Sequence, residues 1–338
     1  MRGIACIFVM LMHYGSFIKN TFFFGIFGVD LFFIISGFII TLTTQKKVSV
    51  NGFLAKRFWR IYPAFFVVWA ISIPALFLHE PLYQIIKSLL LIHKEYSWHS
   101  APGYGWNLIG PPWTLTYEFL FYSIMWCAML ISHKNRVLVT SLLIVCAVCS
   151  LQIIYNSDFS FDSYVSAAIS KDSYLQVPVK LLSTTVLFEF IFGMFMAKIY
   201  ENISQLNTKI SIGLSIFPLT ISLMLFIKKP DVGFGFYGFF WHSAFLFTGM
   251  LLLEPVLKKW KLSILNFFGD ISFALYLIHF PLMKICLLYV PFFNEGKQKV
   301  FTFICVVMLS IFSSWLLHKY VELPIMNNKR FIFNGKTV

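Results

Sequence analysis

From residue 24 to residue 43 the chain reads FGIFGVDLFFIISGFIITLT, twenty residues with a single charge, Asp30. A bilayer's hydrocarbon core takes about 20 apolar residues of helix, so this stretch is long enough to cross it. Runs of the same kind recur at roughly 2–19, 24–43, 61–79, 113–132, 137–155, 181–200, 210–227, 235–257, 266–290 and 300–318. A segment in lipid must satisfy its backbone hydrogen bonds internally, which selects helices. The expectation is an all-α integral membrane protein of about ten transmembrane helices, one domain over 1–338 with no separate soluble domain. Composition agrees: 59% of residues are hydrophobic and only 12% charged, against about 25% charged in soluble domains. The segment QIIKSLLLIH at 84–93 is too short to span and reads as interfacial or re-entrant.

The net charge of +13 would suggest nucleic acid in a soluble protein. Here Lys and Arg cluster between apolar runs, as cytoplasmic loops do, and a nucleic-acid partner is not expected. With the N-terminus inside, 17 of the 27 basic residues fall on the cytoplasmic side and 10 opposite. That bias places both termini in the cytoplasm and turns 80–112 and 156–180 outward. The long first run, with no small-residue cleavage site after it, reads as a retained signal anchor. All six cysteines lie within apolar runs, and the Cys146-x-x-Cys149 pair has no acidic or histidine company. They read as small buried thiols, and no metal site is expected.

The first run carries Arg2 and His13, eleven residues apart. On a helix that is three turns plus about 20°, so both occupy one face, separated by about 16 Å. Arg2 alone also fits an arginine snorkelling at the rim. An ionisable residue inside a span is a functional hypothesis by default, which singles out His13. Asp30 in the second run and Glu118 in the fourth are expected at the same depth as His13. Asp30 would then orient the imidazole as a general base, and the three groups would share a polar cavity. Gly25, Gly28 and Gly37 permit close helix approach. Arg57 and Arg60, three apart, suit phosphate or simply mark the cytoplasmic side. His279, deep in the ninth run, lines the same cavity or bonds a neighbouring carbonyl. His242 and Glu254 in the eighth run are further candidates, Glu322 is expected to pair with a basic loop residue, and the remaining histidines need no special role.

Five pieces stand in order: RGIACIFVMLMH, FGVDLFFIISGFIIT, KRFWRIYP, PPWTLTYEFLFY and GDISFALYLIHFP. With them the chain resembles the acyltransferase-3 family of membrane acyltransferases, which includes O-antigen and other cell-surface polysaccharide O-acetyltransferases. Met1 directly precedes the arginine, whereas the family usually has about ten residues there; the C-terminal esterase-like domain of some members is not seen.

The resemblance implies transfer of an acyl group, usually acetyl, from cytoplasmic acyl-coenzyme A to a hydroxyl of a lipid-linked or surface glycan outside, in a bacterial inner membrane. By the same resemblance His13 is the essential histidine and Arg2 its partner, and Arg57 and Arg60 form the Arg-x-x-Arg pair. Asp30, Trp113, Glu118 and His279 occupy other motif positions. Arg2, Arg57 and Arg60 would hold the coenzyme phosphates, and Trp113 or Tyr117 would stack on a sugar. His13 would act as general base or as transient acyl carrier. The rival reading is a proton-coupled secondary transporter with His13, Asp30 and Glu118 as relay; the duplicated halves common in transporters are not seen. A purely structural membrane protein is the third reading.

Overall fold

The computed structural model describes residues 1–15, 22–46, 49–97, 101–228, 233–260, 262–290 and 299–327. Several basic residues used to orient the chain, among them Lys19, Lys47, Lys229, Lys261, Lys297, Lys329, Arg330 and Lys336, lie outside these residues, as does His99. The helices are α1 (Arg2–Tyr14), α2 (Phe27–Thr43), α3 (Val50–Leu76), α4 (Leu82–Leu89), α5 (Trp113–Ile131), α6 (Arg136–Asn156), α7 (Gln176–Leu182) and α8 (Leu187–Ser204). They continue with α9 (Thr208–Lys228), α10 (Phe240–Leu252), α11 (Glu254–Leu257), α12 (Ser263–Asp270), α13 (Ser272–Tyr289), α14 (Lys299–Leu317) and α15 (Leu323–Asn327). Among the described residues there is no strand.

Among the described residues seven helices are long and apolar enough to cross a membrane, and eight if α7 and α8, bent by 47°, make one span. The expected count of ten is not reached on that measure. The runs 2–19 and 235–257 fall on α1 and α10, 13 residues each, and the first expected run continues into residues 16–19, outside those described. The third run starts earlier than expected. Ser49 accepts the Gly52 amide proton and caps α3 at Val50, so Pro63 lies inside the helix and Arg57 and Arg60 are part of it. The 84–93 segment overlaps α4, whose Ser88 accepts from Trp69 Nε1 at 2.9 Å. Its Leu82, Tyr83 and Ile86 are exposed, as an interfacial helix requires.

The peripheral helices are patterned for lipid rather than water. On α9 the buried residues are Ser211, Ser215, Pro218 and Ser222, while Ile216, Phe217, Leu223 and Met224 are exposed. On α14 Thr302, Val306, Ser310 and Ser314, spaced every four residues, are buried, and Phe301, Met308 and Phe312 face outward. Lipid tails give apolar side chains no reason to hide, so small and hydroxylated residues take the helix contacts.

At the centre stands α2, buried on most of its surface. It approaches α8 so closely that a Cβ on Gly37 would sit 2.2 Å from the Phe190 carbonyl oxygen, and one on Gly193 2.0 Å from that of Ile34. On the α1 side a Cβ on Gly28 would meet the Ala5 oxygen at 2.6 Å. The expected close approach at Gly28 and Gly37 is therefore realised, with Gly193 as the unforeseen counterpart. Overpacking such a contact costs about 1–3 kcal/mol or more. Gly37→Val should thus lower the thermal unfolding temperature in detergent by several degrees. Gly213→Ala, where a Cβ would meet nothing within 4 Å, should leave it unchanged or slightly raised.

Candidate active site

The start of α1 lies in a basic cluster. Arg2 joins Arg57 and Arg60 of α3, Ser36 of α2, and Glu118 and Tyr122 of α5 around a small pocket. Arg57 donates from Nη2 to Thr43 Oγ1 at 2.5 Å and lies over the Phe53 and Tyr122 rings at 5.5 and 5.4 Å. Its Nε is buried without a hydrogen-bond partner. Among the described residues none of the three arginines makes a direct ion pair. Glu322, in the π-helical turn after α14, bonds His318 Nδ1 at 2.6 Å and acts electrostatically on Arg2 and Arg60. Glu118 is one of the cluster's acids: its Oε1 accepts from Tyr122 and, at 3.5 Å, from Ser36. The expectation of Glu118 at the depth of His13 is corrected, because α5 carries it toward the Arg2 end.

The far end of α1 opens on a cavity of about 640 Å³. His13 lines it with Trp106, Trp113, Tyr164, Phe234, Tyr276 and Phe280. Residues spaced along one face of α1 connect the two ends. Arg2 borders both the basic pocket and a void of about 20 Å³ that also touches Cys6 and Val9; Val9, Val29 and Tyr276 border both that void and the large cavity. The waist is therefore narrow, and Phe32 stacked on Tyr276, 5.8 Å apart and 7° from parallel, forms part of it. Tyr276 is fixed by hydrogen bonds with Thr114 (2.6 Å) and the Pro111 carbonyl.

His279 bonds a carbonyl and does not itself line the large cavity. Its ring lies 5.1 Å from that of His13, and its Nδ1 donates to the Leu275 carbonyl at 2.9 Å. That bond places the proton of a neutral ring on Nδ1, leaving Nε2, buried and without a hydrogen-bond partner, as a lone pair. The Tyr14 hydroxyl bonds the His279 carbonyl at 2.7 Å and Ser310 at 2.6 Å, tying α1, α13 and α14 together.

Asp30 is not the orienting partner expected for His13. Its Oδ1 accepts the Gly235 amide proton at 3.0 Å, and its carboxyl interacts with that of Glu189 on α8, whose two oxygens, like Asp30 Oδ2, are buried without another polar partner. Two buried carboxylates this close would repel strongly if both were ionised, so one proton is shared between them. Helix α2 turns Asp30 toward α8 and the 233–239 segment instead of α1. Gly235 has φ +73°, and a Cβ there would lie 1.7 Å from Ser163 Oγ, so the loop that presents Phe234 to the cavity is locked over this pair.

Trp113 lines the cavity, whereas Tyr117, the other ring suggested for a sugar, does not. Tyr117 is buried among Phe33, His93 and Trp113, with its hydroxyl donating to the Pro102 carbonyl at 3.0 Å. The exposed ring at the lip is Trp106, held at φ +63° within a Tyr104–Gly105–Trp106 stretch of positive φ throughout; strain of this kind concentrates at ligand clamps. His93, given no role from sequence, is fully buried, and its Nε2 donates to the Trp113 carbonyl at 3.1 Å. Burial pushes its pKa down to about 4, so it supports the cavity wall as a neutral ring. His242, a further candidate, bonds Ser222 away from the cavity at 3.0 Å, and Glu254 pairs with Lys258 at 3.0 Å.

The sequence reading missed Glu189, although a carboxylate in the run VLFEFIFGM meets the rule that singled out His13. Lys284, inside the run 266–290, meets the same rule, whereas Trp106, also in the cavity wall, had no such signal. No group of three or more His, Cys, Asp or Glu able to hold a metal occurs among the described residues.

A family model described as an acyltransferase domain matches residues 1–319. The chain belongs to this acyltransferase-3 family. It is therefore an acyltransferase, and its long apolar helices make it an integral membrane protein. It is 24% identical over 277 residues to the exopolysaccharide production protein ExoZ of Rhizobium meliloti, covering 80% of each chain. It is 25% identical over 340 residues to the O-acetyltransferase OatA of Staphylococcus aureus, covering 92% of this chain and 55% of OatA. The chain thus spans about half the length of OatA. The acyltransferase MdmB of Streptomyces mycarofaciens is 33% identical over 106 residues, covering 29% of this chain and 27% of that protein. No solved structure matches the chain.

The carboxyl pair gives a test of the wall behind the cavity. Glu189→Gln keeps a donor toward Asp30 and should unfold within a few degrees of wild type in detergent. Glu189→Leu leaves Asp30 buried without that donor, which costs several kcal/mol, and should lower folded yield and midpoint sharply. Equal behaviour of the two variants would remove the shared proton from the account.

Proposed function

We propose that this membrane acyltransferase moves an acetyl group from cytoplasmic acetyl-coenzyme A to a hydroxyl of a cell-surface or lipid-linked saccharide on the outer side of a bacterial inner membrane. The observation that carries this reading is the single face of α1 that borders the basic pocket with Arg2 and the large aromatic cavity with His13. Coenzyme phosphates need fixed cations, since they do not enter hydrocarbon cheaply. Arg2, Arg57 and Arg60, with no direct ion pairs among the described residues, offer forked donors suited to them. The neutral pantetheine arm then points along α1 and reaches His13 as Phe32 and Tyr276 part. Trp106 and Trp113 supply aromatic faces for a sugar.

In the reaction the acceptor hydroxyl oxygen bonds to the thioester carbonyl carbon while His13 takes its proton. The carbon–sulfur bond breaks, and the departing thiolate recovers the proton from His13. His279, neutral and beside His13, places no positive charge next to the imidazole that takes the proton. The names of ExoZ and OatA, exopolysaccharide production and O-acetyltransferase, support a saccharide acceptor and an acetyl donor. The transporter relay is less well supported, because Asp30 is engaged with Glu189 and Glu118 lies at the arginine cluster.

Purified protein given acetyl-coenzyme A and a saccharide acceptor tests the reading. His13→Ala should insert normally and yield no acetylated saccharide by mass spectrometry; retained transfer would exclude the histidine. Arg57→Ala and Arg60→Ala should each raise KM for acetyl-coenzyme A by about tenfold or more, with a smaller change in kcat. A separate block at the waist, Val9→Trp, should stop transfer while acetyl-coenzyme A binding, measured calorimetrically, persists. Transfer at the wild-type rate in that variant would rule out the α1 route.

A further inference from the structure

Lys284 of α13 projects into the wall of the large cavity. The cavity's other charged residues besides His13 are Lys94 and Glu80, which pair with each other at 2.8 Å. Lys284 has no such counter-ion among the described residues. Its ammonium lies instead over two ring faces, 4.8 Å from the centre of Phe280 and 5.7 Å from that of Phe77. Phe280 also meets His13, ring centre to ring centre at 5.1 Å. One aromatic ring therefore separates an unanswered positive charge from the imidazole assigned to the reacting hydroxyl. A pyranose laid along this wall, with a hydroxyl at His13, reaches the ammonium with a substituent on its far side or with the next sugar. Ring faces hold an ammonium only weakly where water reaches it, whereas an anion supplied by a ligand forms a charge-assisted hydrogen bond.

We propose that the acceptor is an anionic saccharide, carrying a carboxylate or phosphate about one sugar ring from the acylated hydroxyl, and that Lys284 is the residue that selects it. This deepens the acceptor side of the reading above and rests on it. Lys284 contacts the acceptor and not the donor: it belongs to the cavity at the His13 end, and the arginines line a different pocket. Carboxylate-bearing and phosphate-bearing sugars present the same chemistry to an ammonium, and the probes below separate them.

Binding is read apart from turnover. Trp106 and Trp113 line the cavity, so quenching of tryptophan fluorescence of the full chain in nanodiscs reports occupancy. The probes are cellobiose, cellobiouronic acid and cellobiose 1-phosphate. Wild type should bind at least one charged disaccharide about tenfold tighter than cellobiose. Lys284→Met should bring that affinity down to the cellobiose value without altering cellobiose binding or KM for acetyl-coenzyme A. Lys284→Arg should restore most of the preference, and 0.5 M salt should erode it in wild type only. The charged probe with the larger loss identifies the anion. Equal binding of charged and neutral probes by wild type, no binding of either charged probe, or an unchanged preference in Lys284→Met each overturns the proposal. If charge selection depends on Lys284 but no acetyl transfer occurs, the acetyltransferase reading fails and the anion site stands. If transfer occurs and Lys284→Met matches wild type, the reverse holds.

Discussion

The contact of α2 with its neighbours sets the geometry of everything around it. Gly37 and Gly193 let the backbones of α2 and α8 meet at carbonyl-to-Cα distance, and Gly28 does the same against α1. In lipid there is no hydrophobic drive to bring helices together, so close backbone packing and buried hydrogen bonds must do so. Once α2 is fixed, three of its faces have three tasks. One holds α1 in line between the two ends of the site, one turns Asp30 to Glu189 and Gly235, and one delivers Ser36 to Glu118 beside the arginines. A small shift of α2 would therefore disturb the basic pocket and the loop over the large cavity together.

Much of the architecture was legible because it depends on local arithmetic. Eleven residues between Arg2 and His13 fix a shared helix face without knowledge of any neighbour, and the structure lines consecutive voids with that face. The Arg57–Arg60 spacing and the apolar runs are local in the same sense. What failed depended on depth and azimuth across different helices. Asp30 seemed level with His13, but the rotation of α2 aims it at a carboxyl 159 positions away in the chain. Glu118 was placed by counting from a presumed interface at Trp113, yet Trp113 lies under the loop around Trp106 and the helix descends to the arginines. Tyr117 shows the same limit: adjacent to both Trp113 and Glu118 in a motif, it points into the aromatic packing around His93.

The polar side chains inside the bundle fall into two kinds. Those with complete partnerships hold helices together: Tyr14 between His279 and Ser310, Tyr276 between Thr114 and Pro111, and Arg136 donating to Thr44 and the Thr41 carbonyl at the end of α2. Others keep a buried polar atom without a hydrogen-bond partner: Arg57 Nε and His279 Nε2 near the two ends of α1, and also His93 Nδ1, Trp126 Nε1 and Thr302 Oγ1 elsewhere in the bundle. Buried polar atoms are normally satisfied. The two near α1 stand where the proposed donor and acceptor would supply partners.

The waist between Val9, Phe32 and Tyr276 has an electrical consequence. A passage wide enough for hydrated ions would short-circuit the voltage a cell maintains across this membrane. On the proposed route, with each end of α1 open to its own solution, a gap on the scale of one water molecule, walled by a valine and two stacked rings, would keep the protein an insulator. Whatever crossed would have to be slender and uncharged, so the chemistry would proceed without drawing current from the membrane that houses it.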